Sequence, residues 1–293
     1  MNTRAFSFDD SATVAALAGL IRSLKDERID PFPPDNEWEI LADSGARGRG
    51  EDVHPRVAQV GDFVVGYGAV DLSGDHATGQ LIGPLVHPDY RRRGLGRKLM
   101  QDLLDQARTA KRKRVSVAVG EENEGGAAFL KALKFKPKAR NTCLRVKRGI
   151  DLPDLHEWED VRVRRVNYDH AVEVHAFLRD FVVRKEKQTR SLLKAGGYVV
   201  LLARRADEIV GFAELDLRSG ETAVLEHLDG KPDLIKKGLG NLLLVEAMRQ
   251  AFERRTITSF ELLVPGDDPK KLDGYLEAGF QKRCVLITHE RRA

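Results

Sequence analysis

Val86-His87-Pro88-Asp89-Tyr90-Arg91-Arg92-Arg93-Gly94-Leu95-Gly96 joins an apolar, strand-like run, Gly79–Val86, to a segment with helical periodicity. In that segment, Gly96–Thr109, the residues Leu99, Leu103, Leu104 and Ala107 fall on one face, which predicts an amphipathic helix. The first backbone N–H groups of a helix lack intrahelical partners and carry partial positive charge, so phosphate oxygens bind there readily. Gly94 and Gly96 remove side chains that would hold a diphosphate away from the backbone. The flanking arginines can add charge-assisted hydrogen bonds. No Gly-Lys-Ser/Thr follows, which excludes a Walker loop, and the third glycine of the dinucleotide fingerprint is missing. The competing reading of the loop is an ordinary helix start with solvated arginines.

Outward from this loop, the chain repeats itself at an offset of about 145 residues. Phe63–Leu72 is echoed by Glu208–Leu217, and His87–Gly96 by Lys231–Gly240. Leu133-Lys134-Phe135 matches Ala278-Gly279-Phe280 in the same order. Two copies of one fold are expected, 1–150 and 151–293, joined near residues 148–160. Each copy begins with a helical segment (about Ser11–Lys25 and His170–Lys187) followed by apolar, β-branched hairpin strands such as Asp62–Leu72 and Tyr198–Leu217. In the first copy the loop and its helix are then followed by a strand at Arg114–Val119, a short helix at Gly125–Leu133 and a strand near Asn141–Val146. Strands with two intervening helices imply an α/β fold, a mixed sheet flanked by helices in each copy. Asp30–Asp52, rich in Pro, Asp and Gly, reads as an irregular insertion that either lines a substrate mouth or is a plain surface loop.

The 293 residues suffice for two domains, and 42% hydrophobic with 32% charged content is that of a globular protein. No run approaches twenty apolar residues, so a membrane span is not expected, and the N-terminus lacks the pattern of a signal peptide. Cys143 and Cys284 are far apart and without metal-ligand spacing, which suits a reducing cytoplasm. The histidines likewise show no metal-ligand spacing, so no metal is expected. A net charge of +4 is unevenly placed, with basic residues dense between Arg91 and Arg114. Such a cluster can hold a polyanion or form a solvated helix face.

With these residues in hand, the chain resembles the GNAT superfamily of acyl-CoA-dependent N-acetyltransferases. That family's main motif runs from a strand into Arg/Gln-x-x-Gly-x-Gly/Ala, commonly preceded by Val-x-Pro, and Val86–Gly96 fits it throughout. A second motif, an Asn after the next strand and then a helix ending in Tyr-x-x-x-Gly-Phe, corresponds in register to Asn123 and Ala127–Phe135. The layout is that of a tandem GNAT protein, the kind that includes mycothiol synthases. The resemblance implies acetyl-CoA as cosubstrate, with Arg91, Arg92, Arg93, Gly94, Leu95, Gly96 and Arg97 around its pyrophosphate. It further implies that Leu85 and Val86 offer backbone groups to the pantetheine arm and the acetyl carbonyl, and that Asn123 steadies the cofactor.

Acetyl transfer to an amine requires that the ammonium lose a proton, that the oxyanion find a donor, and that the thiolate leave. The family's usual base positions fall on Gln80 and Ile82, its tyrosine on Leu130 and its glycine on Lys134, and none of these supplies the expected chemistry. Glu122, with Glu121 and Glu124, is then the candidate base in the first copy, beside Gln80 as a polar group on the strand. A residue from Asp30–Glu39 or a water chain is the alternative. The second copy breaks the pattern in the opposite way. It keeps Tyr275-Leu276-Glu277-Ala278-Gly279-Phe280 and has Glu226 where a base could stand. Ile235, however, replaces the leading arginine, and Asp229-Gly230-Lys231 interrupts the strand end. Tyr275 is thus either a catalytic acid or a half-buried core residue in a domain kept for structure.

The expected function is acetyl-CoA-dependent N-acetylation of a primary amine on a small molecule or peptide, with the first copy holding the cofactor. A non-catalytic acyl-CoA-binding scaffold is the alternative. Nucleic-acid binding through Arg91–Arg114 is disfavoured by the near absence of interleaved aromatic residues. A homo-oligomer is compatible with the sequence.

Overall fold

The computed structural model describes residues 2–25, 52–74, 77–153, 158, 160–182, 186–194, 197–218, 220–266 and 269–293. The Asp30–Asp52 insertion, save its last residue, and the candidate base segment Asp30–Glu39 lie outside these. The described chain forms two compact units: 1–141 with 284–293, and 142–283.

The first unit contains β1 (Thr3–Ala5), α1 (Ser11–Lys25), β2 (Val53–Val60), β3 (Phe63–Asp71), β4 (Thr78–Val86), α2 (Leu95–Thr109), β5 (Arg114–Gly120) and α3 (Glu124–Ala132). Its strands lie in the order β1-β2-β3-β4-β5, antiparallel except for β4 and β5, which run parallel. A parallel pair needs a crossover, and α2 supplies it. The helix forms because its apolar residues recur at helical spacing: Leu95, Leu99, Met100, Leu103, Leu104 and Ala107 are all buried. Met100, Leu103, Leu104 and Ala107 pack on Val70, Val115 and Val117, and Leu95 and Leu99 on Ala58 and Val65, on one face of the sheet, while Val14, Leu17 and Ile21 of α1 cover Val57, Tyr67 and Ala69 on the other. Alternating residues of β3 therefore serve opposite cores. Burying each large aliphatic side chain on α2 contributes about 1.5–3 kcal/mol.

The second unit repeats this plan. After β6 (Lys136–Lys147) come β7 (Val161–Val166), α4 (Ala171–Leu178), α5 (Glu186–Lys194), β8 (Tyr198–Arg205), β9 (Glu208–Asp216) and β10 (Thr222–Gly230). A one-turn helix, α6 (Pro232–Ile235), then leads into α7 (Leu239–Phe252), β11 (Ser259–Pro265), α8 (Pro269–Glu277) and β12 (Gln281–Arg292). β8, β9 and β10 are antiparallel, and β10 with β11 is the parallel pair. The early helical region is thus two short helices rather than one segment over His170–Lys187.

The grouping differs from a linear cut after residue 150 in one respect. The last strand of the chain, β12, pairs antiparallel with β5 of the first unit from Leu286↔Gly120 to Arg292↔Arg114. Reciprocally, β6 from Thr142 onward lies beside β11 of the second unit, where Arg148 N donates to Thr258 O at 2.9 Å and the Arg145 guanidinium meets Glu261. Each copy of the repeat thus finishes its partner's sheet. Both strands centre on a short apolar run, Cys143-Leu144 with Val146 in β6 and Cys284–Ile287 in β12, so the pattern alone does not choose between β5 and β11.

Truncation after Arg283 should therefore destabilise the first unit, although every other element of that unit is intact. Seven residue pairs and the buried side chains of Leu286 and His289 would be lost. At about 1 kcal/mol per hydrogen bond, this implies a fall in melting temperature of roughly 10 °C or more, read by circular dichroism.

Candidate acyl-CoA site

The parallel pairing of β4 with β5 runs only from Thr78↔Arg114 to Leu81↔Val117. Beyond it, β4 stays with β3, where Tyr67 faces Leu85 and Gly66 faces Val86, while β5 continues with β12. The two strands part, and a gap opens along Ile82–Val86. The register of β4 against β3 shifts between Ile82 and Leu85, where two β4 residues stand against one of β3. Gly83 occupies this bulge at φ +79°, and a Cβ there would lie 2.9 Å from Leu85 N and 3.0 Å from Tyr67 O. The Gly83–Pro84 bond is cis.

The orientation of the strand end follows from the backbone. His87 N donates to Val65 O at 3.0 Å, towards β3. Across a trans peptide the preceding carbonyl points the opposite way, so Val86 C=O faces the gap. In a strand the N–H of a residue shares the side of its C=O, so the Val86 N–H faces the gap as well. Leu85 N–H and C=O face β3. Of the two residues expected to offer backbone groups here, Val86 is the one so directed.

From Val86 the chain makes a single 3₁₀ turn over Pro88–Tyr90, capped by His87, whose Nδ1 accepts from Asp89 N at 3.3 Å. His87 thus holds the turn. Tyr90 packs with Val86 on the small cluster of Ala58, Val65, Leu95 and Leu99, and the Arg93 guanidinium lies 5.6 Å from the Tyr90 ring centroid. Arg92 takes a left-handed conformation at φ 59°, and Gly94, the N-cap of α2, another at φ 81°. Glycine reaches this region without penalty, whereas other residues pay about 1 kcal/mol or more.

No side chain caps α2, and nothing lies within 4 Å of a Cβ placed on Gly94. A Cβ on Gly96 would meet Val86 and Phe129 only at 3.6–3.8 Å. Packing does not forbid a side chain there; its absence leaves a hollow where β4, α2 and α3 converge. Arg91, Arg92, Arg93 and Arg97 are exposed around it. Uncapped N–H groups, an open glycine and clustered guanidinium groups fit a diphosphate.

The remaining candidates are placed less uniformly. Asn123 caps α3, its Oδ1 accepting from Gly126 N at 2.8 Å, and so stands where β5 has left β4. Glu122 is exposed in the turn before it, while Glu121 is held by Arg140 through two contacts of 2.9 Å. Gln80 is exposed, but it sits in the closed part of the pair, opposite Ser116. Leu130, at the usual tyrosine position, is 2% exposed and part of the core. Tyr275 belongs to the other unit, its ring 5.7 Å from that of Phe280, and burial pushes its phenol above the ordinary tyrosine range. Among the described residues, no group of three or more His, Cys, Asp or Glu side chains could hold a metal ion.

The second unit carries the same parting of strands. β10 and β11 pair from Thr222↔Ser259 to Leu225↔Leu262, and the bulge falls at Glu226. Lys231 N donates to Val210 O at 2.8 Å, and Gly238 caps α7 at φ 101° without a side-chain bond. Ile235, in the position of Arg91, packs against the unit's core.

A family model described as the acetyltransferase (GNAT) family matches residues 17–135 and again 155–280. The chain belongs to the GNAT family. Its two GNAT domains, each a mixed sheet flanked by helices, are as the repeat and the loop imply. Among solved structures, a tandem GNAT protein from the clavulanic acid biosynthesis pathway, determined without AcCoA, covers 99% of this chain and 98% of its own. It has a TM-score of 0.75 and 17% identity. A GCN5-related N-acetyltransferase from Sphaerobacter thermophilus has the same TM-score at 18% identity, over 99% of this chain and 95% of that one. At these identities the likeness concerns the fold. No curated protein sequence matches the chain. Membership of the GNAT family supports acyl transfer from an acyl-CoA to an acceptor.

Two features were not found from sequence: the Gly83 bulge and the bond that Arg91 Nε donates to Val86 O at 3.0 Å. Gly83-Pro84 inside an otherwise apolar strand was the available signal for the first, since neither residue suits a regular ladder. Gly83→Ala should close against backbone atoms and cost about 2 kcal/mol or more. A melting temperature within a degree of wild type would show that the bulge does not need glycine.

Proposed function

We propose that this GNAT protein transfers an acetyl group from acetyl-CoA to a primary amine of a small molecule or peptide, with the cofactor in the first unit. The observation that carries this reading is the uncapped, side-chain-free start of α2 beside a parted parallel pair. In this reading the N–H groups at Leu95, Gly96 and Arg97, with Arg92, Arg93 and Arg97 around them, bind the diphosphate. The pantetheine arm runs along Leu85 and Val86, and Asn123 steadies it from the other side of the gap.

The chemistry asks little of side chains. The acceptor ammonium gives a proton to a carboxylate or through water, and Glu122 at the mouth of β5 is the candidate, with Gln80 able only to orient a water. The amine lone pair then attacks the thioester carbon, forming C–N as the carbonyl π electrons move to oxygen. The Val86 N–H meets that oxyanion. Collapse breaks C–S, and the thiolate takes up the proton released by the new amide nitrogen, leaving CoA thiol. Holding the amine and thioester together supplies much of the rate in such a site. Tyr275 is a core residue of the second unit in this reading. The reduced thiols of Cys143 and Cys284 suit a reducing cytoplasm.

A second reading, acyl-CoA binding without transfer, is favoured by one observation: Gln80 and the buried Leu130 stand at the usual base and acid positions. Release of CoA thiol over a panel of amines separates the two. Nucleic-acid binding is weakened because Arg108 and Arg114 are already paired with Asp105 and Glu290.

Gly94→Glu puts a carboxylate and bulk at the phosphate position and should weaken acetyl-CoA binding by at least about a hundredfold, with the fold retained. Gly238→Glu should leave it unchanged. Calorimetric titration of both variants checks this, and unchanged affinity in Gly94→Glu would remove the first unit from consideration.

A further inference from the structure

His54, Arg56 and Ala58 are alternate residues of β2, and Ala58 packs with Leu95 and Leu99 of α2. His54 and Arg56 therefore face the same helix further along. On α2, Asp102, Asp105 and Gln106 recur at helical spacing, which puts them on one face beside the buried stripe. Between these two groups of side chains lies a cavity of about 390 Å³, with Leu72 as an apolar part of its lining. That volume is within the range of small-molecule sites. At 1.5 Å per residue, Gln106 is about 15 Å along α2 from Gly96, so the cavity is separate from the acyl-CoA site.

The fold does not require polar residues here. Arg56 stands opposite Gly68 and His54 opposite Val70 on β3. The same register positions in the second unit, opposite Ala213 and Leu215 on β9, are Leu201 and Val199. Both are buried, and they join the core that holds Leu243 and Met248 of α7. The first unit thus has a hollow and two half-buried basic side chains where its own repeat has packed aliphatic ones.

The cavity is polar on both sides, with opposite signs. On the sheet side, the side chains of His54 and Arg56 have no hydrogen bond or ion pair with a described residue, and Arg56 Nε is buried without a partner. On the helix side, Gln106 Oε1 is a buried acceptor without a partner. Asp102 and Asp105 flank it, held by Lys98 and Arg108 at 2.7 Å each, and Thr3 also donates to Asp102. Burial raises the Asp102 carboxyl, but bonds from Lys98 and Thr3 and the charges of Lys98 and Arg56 bring it below the usual range. The last turn of α2 adds the partial negative charge of a helix C-terminus. A simple anion would suit Arg56 and His54 but meet the two carboxylates and the helix end. A simple cation would face the reverse. A molecule with both charges on adjacent carbons satisfies both sides.

We propose that this cavity binds a free α-amino acid with a small aliphatic side chain. Its carboxylate lies on Arg56 and His54, its ammonium on Gln106 Oε1 beside Asp102, and its side chain towards Leu72. A polar atom buried without a partner is costly, and the bound zwitterion supplies an acceptor to Arg56 and a donor to Gln106. The proposal is independent of where acetyl-CoA binds.

Calorimetric titration of L-alanine, L-valine and L-leucine into the full chain, in the absence of acetyl-CoA, tests it. At least one should bind with a Kd of about 1 mM or tighter. Isovalerate, which lacks the ammonium, and L-valinamide, which lacks the carboxylate, should bind at least about tenfold more weakly. Arg56→Leu, which copies Leu201 of the second unit, and Gln106→Leu should each lower the amino-acid affinity about tenfold or more. Both variants should melt no more than about 5 °C below wild type, since each removes a polar atom buried without a partner. Absence of binding by all three amino acids would overturn the proposal. So would equal binding of isovalerate or L-valinamide, which would make the cavity a site for a simple ion, or unchanged affinity in either variant. A larger fall in melting temperature assigns that side chain to the fold, and His54→Val, which copies Val199, then carries the test: unchanged affinity in it overturns the proposal.

Discussion

The interruption of one parallel strand pair governs this molecule. β4 and β5 share four residues of register and then separate, because the Gly83 bulge turns β4 while β12 keeps β5 straight on its other side. In a continuous sheet the Val86 peptide would be spent on a neighbouring strand. Here its N–H and C=O are released into a gap whose far end is the uncapped start of α2. The uncapped start of α2 would exist at any strand–helix junction of this kind. Without the parted pair it would have no backbone groups to offer a thioester.

Much of this was legible in the residues. The period of Leu99, Leu103, Leu104 and Ala107 specified α2, and the structure adds Leu95 and Met100 to the same buried face. The repeat specified two copies because glycines recur where geometry demands them: Gly94 and Gly238 are both left-handed N-caps. What was not legible depends on long-range choice. Nothing in Cys284–Arg292 says which sheet it joins, since an apolar run of four residues suits either. The bond from Arg91 to Val86 O was hidden for a different reason: in a run of three arginines, charge suggests one shared role, and only coordinates assign Nε to a particular carbonyl.

The two copies show how a duplicated fold diverges by exchanging polar work for packing. At the position after the 3₁₀ or α-turn, the first copy has an exposed Arg91 and the second a half-buried Ile235. At the motif helix, the trade runs the other way, with Leu130 buried in the first unit and Tyr275 half-buried in the second. Both copies keep the sheet and its covering helices despite these differences.

The reciprocal exchange of β6 and β12 carries a consequence for how the protein is made. The first unit is discontinuous in sequence, so its sheet lacks β12 until residues 284–293 have been made, after the whole of the second unit. Until then the β5 edge is open, and open edges recruit other strands. The nearest spare strand in sequence is β6, which from Thr142 onward belongs to the other unit. Synthesis thus poses a choice between an early, local pairing and a late, correct one. The ion pair of Arg145 with the largely buried Glu261 on β11 favours the pairing of β6 within the second unit.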